Sequence, residues 1–238
     1  MDEIRARNLL LLPGFMLTEA LWDDMRVALS ALGKCHFGDL SRSDSIAAMA
    51  EHVLQHAPPR FILFGFSMGG FVAQQIMRQA PERVIALALL NTSSRAQTPQ
   101  EAAQTAAQIA LARGVPFKGL TSRALASSVH PARRGDTALL GRVQAMALQN
   151  GKEVFLRQMG ALRESDPGGL ELIRCPTLIV ASSDDALRSV AESEQMAHRI
   201  AASRLVVIPD CGHMTPLEKP AELLAQIAHW LQEIESGN

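Results

Sequence analysis

The sequence predicts an α/β fold: a mostly parallel sheet of about six strands flanked by helices, with a helical cap inserted between the fourth and fifth strands. Two observations lead there. Short runs recur that are apolar throughout rather than alternating, as strands buried on both faces of a parallel sheet are. Turn residues and then apolar residues at helical spacing follow most of them, which is the rhythm of strand, crossover and strand.

The strand runs come in order at "NLLLLPG" (Asn8 to Gly14), "KCHFGD" (Lys34 to Asp39, the weakest), "RFILFG" (Arg60 to Gly65) and "VIALALLNT" (Val84 to Thr92). "PTLIVAS" (Pro176 to Ser182) and "RLVVIPD" (Arg204 to Asp210) complete the set. Helices are expected at "TEALWDDMRVALSAL" with Thr18 as N-cap, at "DSIAAMAEHVLQHA" ending before Pro58 and Pro59, at "GGFVAQQIMRQAPERV", and at "ELLAQIAHWLQEI". The rhythm breaks between Thr92 and Pro176, where no strand is evident and Ala, Gln, Leu and Arg dominate. A structureless loop of that size does not suit a compact domain, so a helical insertion over one end of the sheet is expected. The implied division is a core at 1–93, a cap at 94–168 and a returning core at 169–238.

Length and composition fit this reading. A chain of 238 residues suits one domain with an insertion, long enough to bury about three quarters of its unfolded surface. A net charge of −1 gives no global case for nucleic acid or an anionic membrane. Cys35, Cys175 and Cys211 show no CxxC spacing and cannot all pair, which points to a reducing, cytoplasmic setting. The only leucine run near the start, Leu9 to Leu12, is too short for a signal segment or a membrane span.

The stretch "FGFSMGGF", Phe64 to Phe71, sets Ser67 among Gly65, Gly69 and Gly70, after a strand and before a helix. Gly65-Phe66-Ser67-Met68-Gly69 is G-x-S-x-G. A sharp strand-to-helix turn strains the central residue, and glycine two positions to either side avoids clashes. Such a turn lifts the serine hydroxyl above the carboxyl ends of the strands and aims a helix N-terminus at the same place. A serine hydroxyl is a weak nucleophile without a base, and the base needs an orienting acid. His213, in "DCGHMTPLEKP" after the last strand run, is the base candidate. His52, His56, His198 and His229 fall in helix patterns, His36 sits on the weak strand, and His130 lies in the insertion. "LIVASSDDALRS" offers Asp184 and Asp185 after the fifth strand, and the residues alone leave both open; Asp210 is expected to shape the His213 turn.

Taken together these segments resemble the α/β-hydrolase superfamily along nearly the whole chain. "LLLLPGFM" is similar to its oxyanion loop, "GFSMGG" to its nucleophile elbow, "PTLIVASSDDAL" to its acid strand, and "VVIPDCGHMTPLEKPAEL" to its histidine loop. Within it the chain resembles the small capped serine esterases of the pimeloyl-ACP methyl ester esterase type. The resemblance implies Ser67 as nucleophile, His213 as base and, from the family's G-x-x-D pattern, Asp185 as acid, with Ser182 replacing the usual glycine. It implies backbone N–H groups of Phe15 and Met68 as the oxyanion hole, with Pro13-Gly14 where many members have His-Gly. The chain opens at what resembles the family's third strand, so the leading strands are expected to be missing.

The expected chemistry is acyl transfer to water from an ester with a small or medium acyl group, without metal or cofactor. The same triad could instead serve C–C bond hydrolysis, a lyase step or peracid formation, and a non-catalytic small-molecule binder is the remaining alternative. Between 94 and 168, ten basic residues face five acidic ones, with Arg133 and Arg134 adjacent and Arg123, Arg142, Arg157 and Arg163 near in sequence. That balance suits an anionic substrate or an acidic carrier protein docking on the cap, or simply a solvated helical face. Val115, Phe117, Leu120, Leu125, Met146, Phe155 and Met159 are candidates to line an acyl pocket or to pack the cap.

Overall fold

The computed structural model describes residues 7–163 and 169–236. Among them, the strands β1 (Asn8–Leu12), β2 (Lys34–Phe37), β3 (Phe61–Phe66), β4 (Val84–Leu90), β5 (Thr177–Ser182) and β6 (Ser203–Ile208) form one six-stranded sheet in the order β2-β1-β3-β4-β5-β6. Every neighbouring pair is parallel. The central strands β3 and β5 are buried at every position, as their unbroken apolar runs require. The edge strand β2 is only half covered, which is why its sequence reads weakly.

Successive strand side chains point to opposite faces, so the core divides in two. Leu9, Leu11, Phe64 and Phe66 face α1 (Arg26–Leu32) and α9 (Pro220–Ser236), meeting Leu29, Ile227 and Trp230. Leu10, Leu12, Phe61 and Leu63 face α2 (Ile46–His56), α3 (Met68–Gln79) and α7 (Val190–Arg199), meeting Val53, Ile76 and Met196. Full burial of each large side chain contributes about 1.5–3 kcal/mol, so these two layers hold the strand ends at fixed heights.

The segment between β4 and β5 carries α4 (Pro99–Arg113), α5 (Ser122–Ser127) and α6 (Thr137–Gly160), and no strand among the described residues. α4 buries no residue, whereas Leu139, Val143 and Met146 of α6 join the α1/α9 face of the core. Gly151, at φ 75°, breaks α6 into two arms. The expected cap boundary at 168 lies outside the described residues. Two elements differ from expectation. The helix after Thr18 is split into a 3-10 turn (Glu19–Met25) and α1. α7 was not anticipated, although Ser189 and Glu192 form a capping box at its start. No helix among the described residues is long and apolar enough to cross a membrane.

Candidate active site

Three loops leave the carboxyl ends of β3, β5 and β6 and converge. Ser67 sits between β3 and α3 with φ 51° and ψ −112°, a strained conformation for a residue with a side chain. Its backbone is pinned on both sides: Ser67 N–H donates to the Leu90 carbonyl at 2.9 Å, and its own carbonyl accepts from Thr92 Oγ1 at 2.7 Å. The flanking glycines are needed for space. A Cβ on Gly65 would lie 2.6 Å from the Gly69 carbonyl oxygen, and one on Gly69 would lie 2.6 Å from those of Leu12 and Pro13. The turn therefore needs glycine at 65 and 69, where α3 starts in contact with β1 and β3.

His213, 3% exposed, lies between β6 and the short helix α8 (Thr215–Glu218). Its Nε2 is 2.9 Å from Ser67 Oγ, and its Nδ1 is 2.7 Å from Asp185 Oδ2. The Phe66 ring packs against the imidazole, with centroids 5.2 Å apart. Asp185, whose side chain is wholly buried, also accepts from Asn91 Nδ2 at 3.1 Å and, through Oδ1, from the N–H groups of Leu187 and Arg188 at 2.8 and 2.9 Å. Burial pushes its carboxyl upward, but the His213 charge and these hydrogen bonds outweigh it and hold the group below the usual carboxylate range. Asn91, itself at φ 45°, is fixed by Ser182 Oγ and Thr215 Oγ1, which bond each other at 2.7 Å. The serine in place of the family's glycine at 182 is thus part of a closed polar ring behind Asp185.

Asp184 points elsewhere. Its carboxylate lies 3.7 Å from His130 Nε2, and with Asp210 these side chains bring three ligand-type atoms within 4.8 Å of one another. His130 Nδ1 accepts from the Ala132 N–H, which leaves the proton on Nε2 facing Asp184. His36 hydrogen-bonds Asn8. Cys35, Cys175 and Cys211 are free, and burial raises the pKa of each thiol.

Phe15 and Met68 line the same pocket as Ser67, a space of about 270 Å³ that also touches Phe71, Gln97, Met159, Arg163 and Arg188. Met68 is the first residue of α3, where an N–H has no partner within the helix. Gln158 of α6 carries no motif that marks it in the sequence. Buried, it accepts from the Met16 N–H at 2.7 Å and donates to the Leu40 carbonyl at 3.1 Å, tying the Phe15 loop to the insertion. Of the apolar candidates in the insertion, Met159 lines the pocket, Leu125 and Met146 belong to the core, Phe155 packs against Phe15 and Phe117 against Phe155, Leu120 packs on the cluster of Met16, Ala147 and Val154, and Val115 is exposed.

The model of a family described as the alpha/beta hydrolase family matches residues 9–227. The chain belongs to that alpha/beta hydrolase family. It is a hydrolase with relatives named as esterases. Among them, the pimeloyl-[acyl-carrier protein] methyl ester esterase of Aromatoleum aromaticum is 27% identical, over 90% of this chain and 94% of the relative. The protein of the same name from Nitrosomonas europaea is 27% identical over 92% and 93%. A thermophilic esterase from Thermogutta terrifontis, solved with malate bound, superposes on this hydrolase with a TM-score of 0.87 at 25% identity, covering 97% of this chain and 91% of that one.

Proposed function

We propose that this hydrolase cleaves carboxylic esters of small or medium acyl groups through Ser67, His213 and Asp185. The observation that supports it best is the unbroken line from Ser67 Oγ to His213 Nε2 at 2.9 Å and from Nδ1 to Asp185 Oδ2 at 2.7 Å. Ser67 Oγ attacks the ester carbonyl as His213 takes its proton; Asp185 holds the tautomer and balances the imidazolium. The tetrahedral oxyanion is received by the Phe15 and Met68 N–H groups, each worth roughly 100- to 1,000-fold in rate. His213 then protonates the departing alcohol, and water hydrolyses the acyl-enzyme by the same route. A pocket of about 270 Å³, at the low end for ligand sites, favours a short acyl chain.

An acidic carrier protein is the second partner reading, favoured by the names of the curated relatives and by exposed basic residues on the insertion. Arg133 is engaged with Asp136 and Arg142 with Asp24, while Arg113, Lys118, Arg123 and Arg134 are exposed and make no ion pair among the described residues. The three free thiols suit a reducing cytoplasm. The test is steady-state hydrolysis of p-nitrophenyl acetate by Ser67→Ala, which is expected to lose roughly a million-fold in kcat. Unchanged turnover in that variant removes the proposal.

A further inference from the structure

Phe71 lies one turn of α3 beyond Ser67, roughly 6 Å along the helix axis, and its ring faces the pocket. Two guanidinium groups rest on that ring, Arg163 at 5.5 Å and Arg188 at 5.6 Å from its centroid. Both are only partly exposed, and both line the pocket that contains Ser67. Burial lowers the pKa of each, Arg163 to about 10, and the charge of Arg188 adds to the effect on Arg163. Like charges held together away from water are costly unless something negative offsets them.

The neighbouring carboxylates Glu101, Glu192 and Asp185 offset these charges only through space, their hydrogen bonds being committed elsewhere. Glu101 makes two hydrogen bonds with Arg95, at 2.8 and 2.9 Å, and Glu192 meets Arg95 at 3.4 Å while closing the α7 capping box. Asp185 belongs to His213. Among the described residues, neither Arg163 nor Arg188 has an ion pair with a carboxylate. The Arg188 Nη1 group donates only to the Leu187 carbonyl, and its buried Nε–H has no acceptor. An orphaned, charged, buried donor in the pocket that also holds Ser67 is costly in a structural element and useful in a recognition element.

We propose that Arg163 and Arg188 form an anion subsite one helical turn from Ser67, which selects esters whose acyl chain ends in an ionised carboxylate, the half-esters of dicarboxylic acids. The inference rests on the serine-hydrolase reading above and adds the substrate class. Two forked donor groups over an aromatic ring match the planar, bidentate geometry of a carboxylate. The pocket's modest volume favours that group over a bulkier phosphate ester. The ring itself supplies an apolar wall for the methylenes between the two carbonyl carbons.

The test compares monomethyl glutarate with methyl pentanoate, matched in acyl length and differing in charge, by methanol release. In the native protein the half-ester should have the higher kcat/KM. Arg163→Gln and Arg188→Gln should each lower the anionic-to-neutral kcat/KM ratio by about tenfold to a hundredfold, chiefly through KM. Arg163→Lys should recover part of the loss, and raising the salt concentration should erode the ratio in the native protein. Free glutarate should bind the Ser67→Ala protein by calorimetry and lose that binding when Arg163→Gln is added. A native ratio at or below one, or a ratio unmoved by both glutamine variants, overturns the subsite. If hydrolysis of the neutral ester depends on Ser67 but charge makes no difference, only the subsite falls. If hydrolysis survives Ser67→Ala, the reading beneath it falls as well.

Discussion

Replacing Asp185 by asparagine tests the orienting half of the proposed mechanism. The carboxylate accepts four hydrogen bonds: Oδ1 from the Leu187 and Arg188 N–H groups, Oδ2 from His213 and Asn91. An asparagine has one oxygen and one NH₂ group. The two backbone donors cannot move without dragging the loop, so they claim the oxygen. The amide nitrogen is then left facing His213 Nδ1, which must accept instead of donate. The ring's proton shifts to Nε2, and Ser67 loses its base. A wrong tautomer in otherwise intact geometry costs about 10⁴-fold in kcat, equivalent to about 5 kcal/mol in the barrier. Asp184→Asn changes a half-exposed side chain beside His130 and should alter kcat by less than about threefold. Steady-state hydrolysis of p-nitrophenyl acetate, normalised by circular dichroism for folded protein, separates the two. A large loss in Asp184→Asn with a small one in Asp185→Asn would refute the reasoning.

Gly69→Ala should destabilise the fold by about 1–3 kcal/mol or more, because its Cβ meets the Leu12 and Pro13 carbonyl oxygens at 2.6 Å; urea denaturation measures it, and a neutral result would mean the β1–α3 contact is looser than described. Gln158→Ala strands the Met16 N–H and frees the loop that carries Phe15, so kcat should fall about tenfold while KM moves less; an effect on the urea midpoint alone would make Gln158 purely structural. The Asp185 carboxyl is held below its unfolded value, so the stability it contributes is present above the unfolded carboxylate pKa of about 4 and is lost as pH falls through the lower folded value. Urea midpoints measured between pH 7 and pH 3 should therefore drop less steeply for Asp185→Asn than for the native protein.

The sequence made the sheet legible where strands are central. "FILFGF", "VIALALL" and the core of "TLIVAS" are apolar almost without interruption because both faces of these strands are covered. β2 reads weakly because an edge strand needs only partial burial. α7 is hard to read in the sequence because few of its residues are buried, and the capping box is its clearest local signal. The glycines around Ser67 pointed to its turn, and the residues flanking His213 pointed to a strand end; both side chains lie in one line in the structure. Asp184 and Asp185 could not be separated from their own residues, because adjacent carboxylates differ only in which way the loop turns. That direction is set partly by the turn that brings the Leu187 and Arg188 N–H groups onto Asp185 and partly by Asn91 and His213, distant in sequence, and "LLNTS" gives no sign of the Asn91 bond. Gln158 and Arg188 give no signal in the sequence for a similar reason: Gln158 meets the Met16 N–H and Arg188 the Phe71 ring, both many residues away. In the sequence Arg163 is one of several arginines between β4 and β5, and only packing against Phe71 sets it apart from Arg133 and Arg142, which are neutralised by carboxylates.

Reaction with a fluorophosphonate, followed by intact mass and peptide mapping, probes the activated serine most directly. One phosphonyl group should add per chain, on the peptide containing Ser67, and His213→Ala should abolish the addition. A folded protein that takes up no label, or takes it up on another serine, would contradict the account.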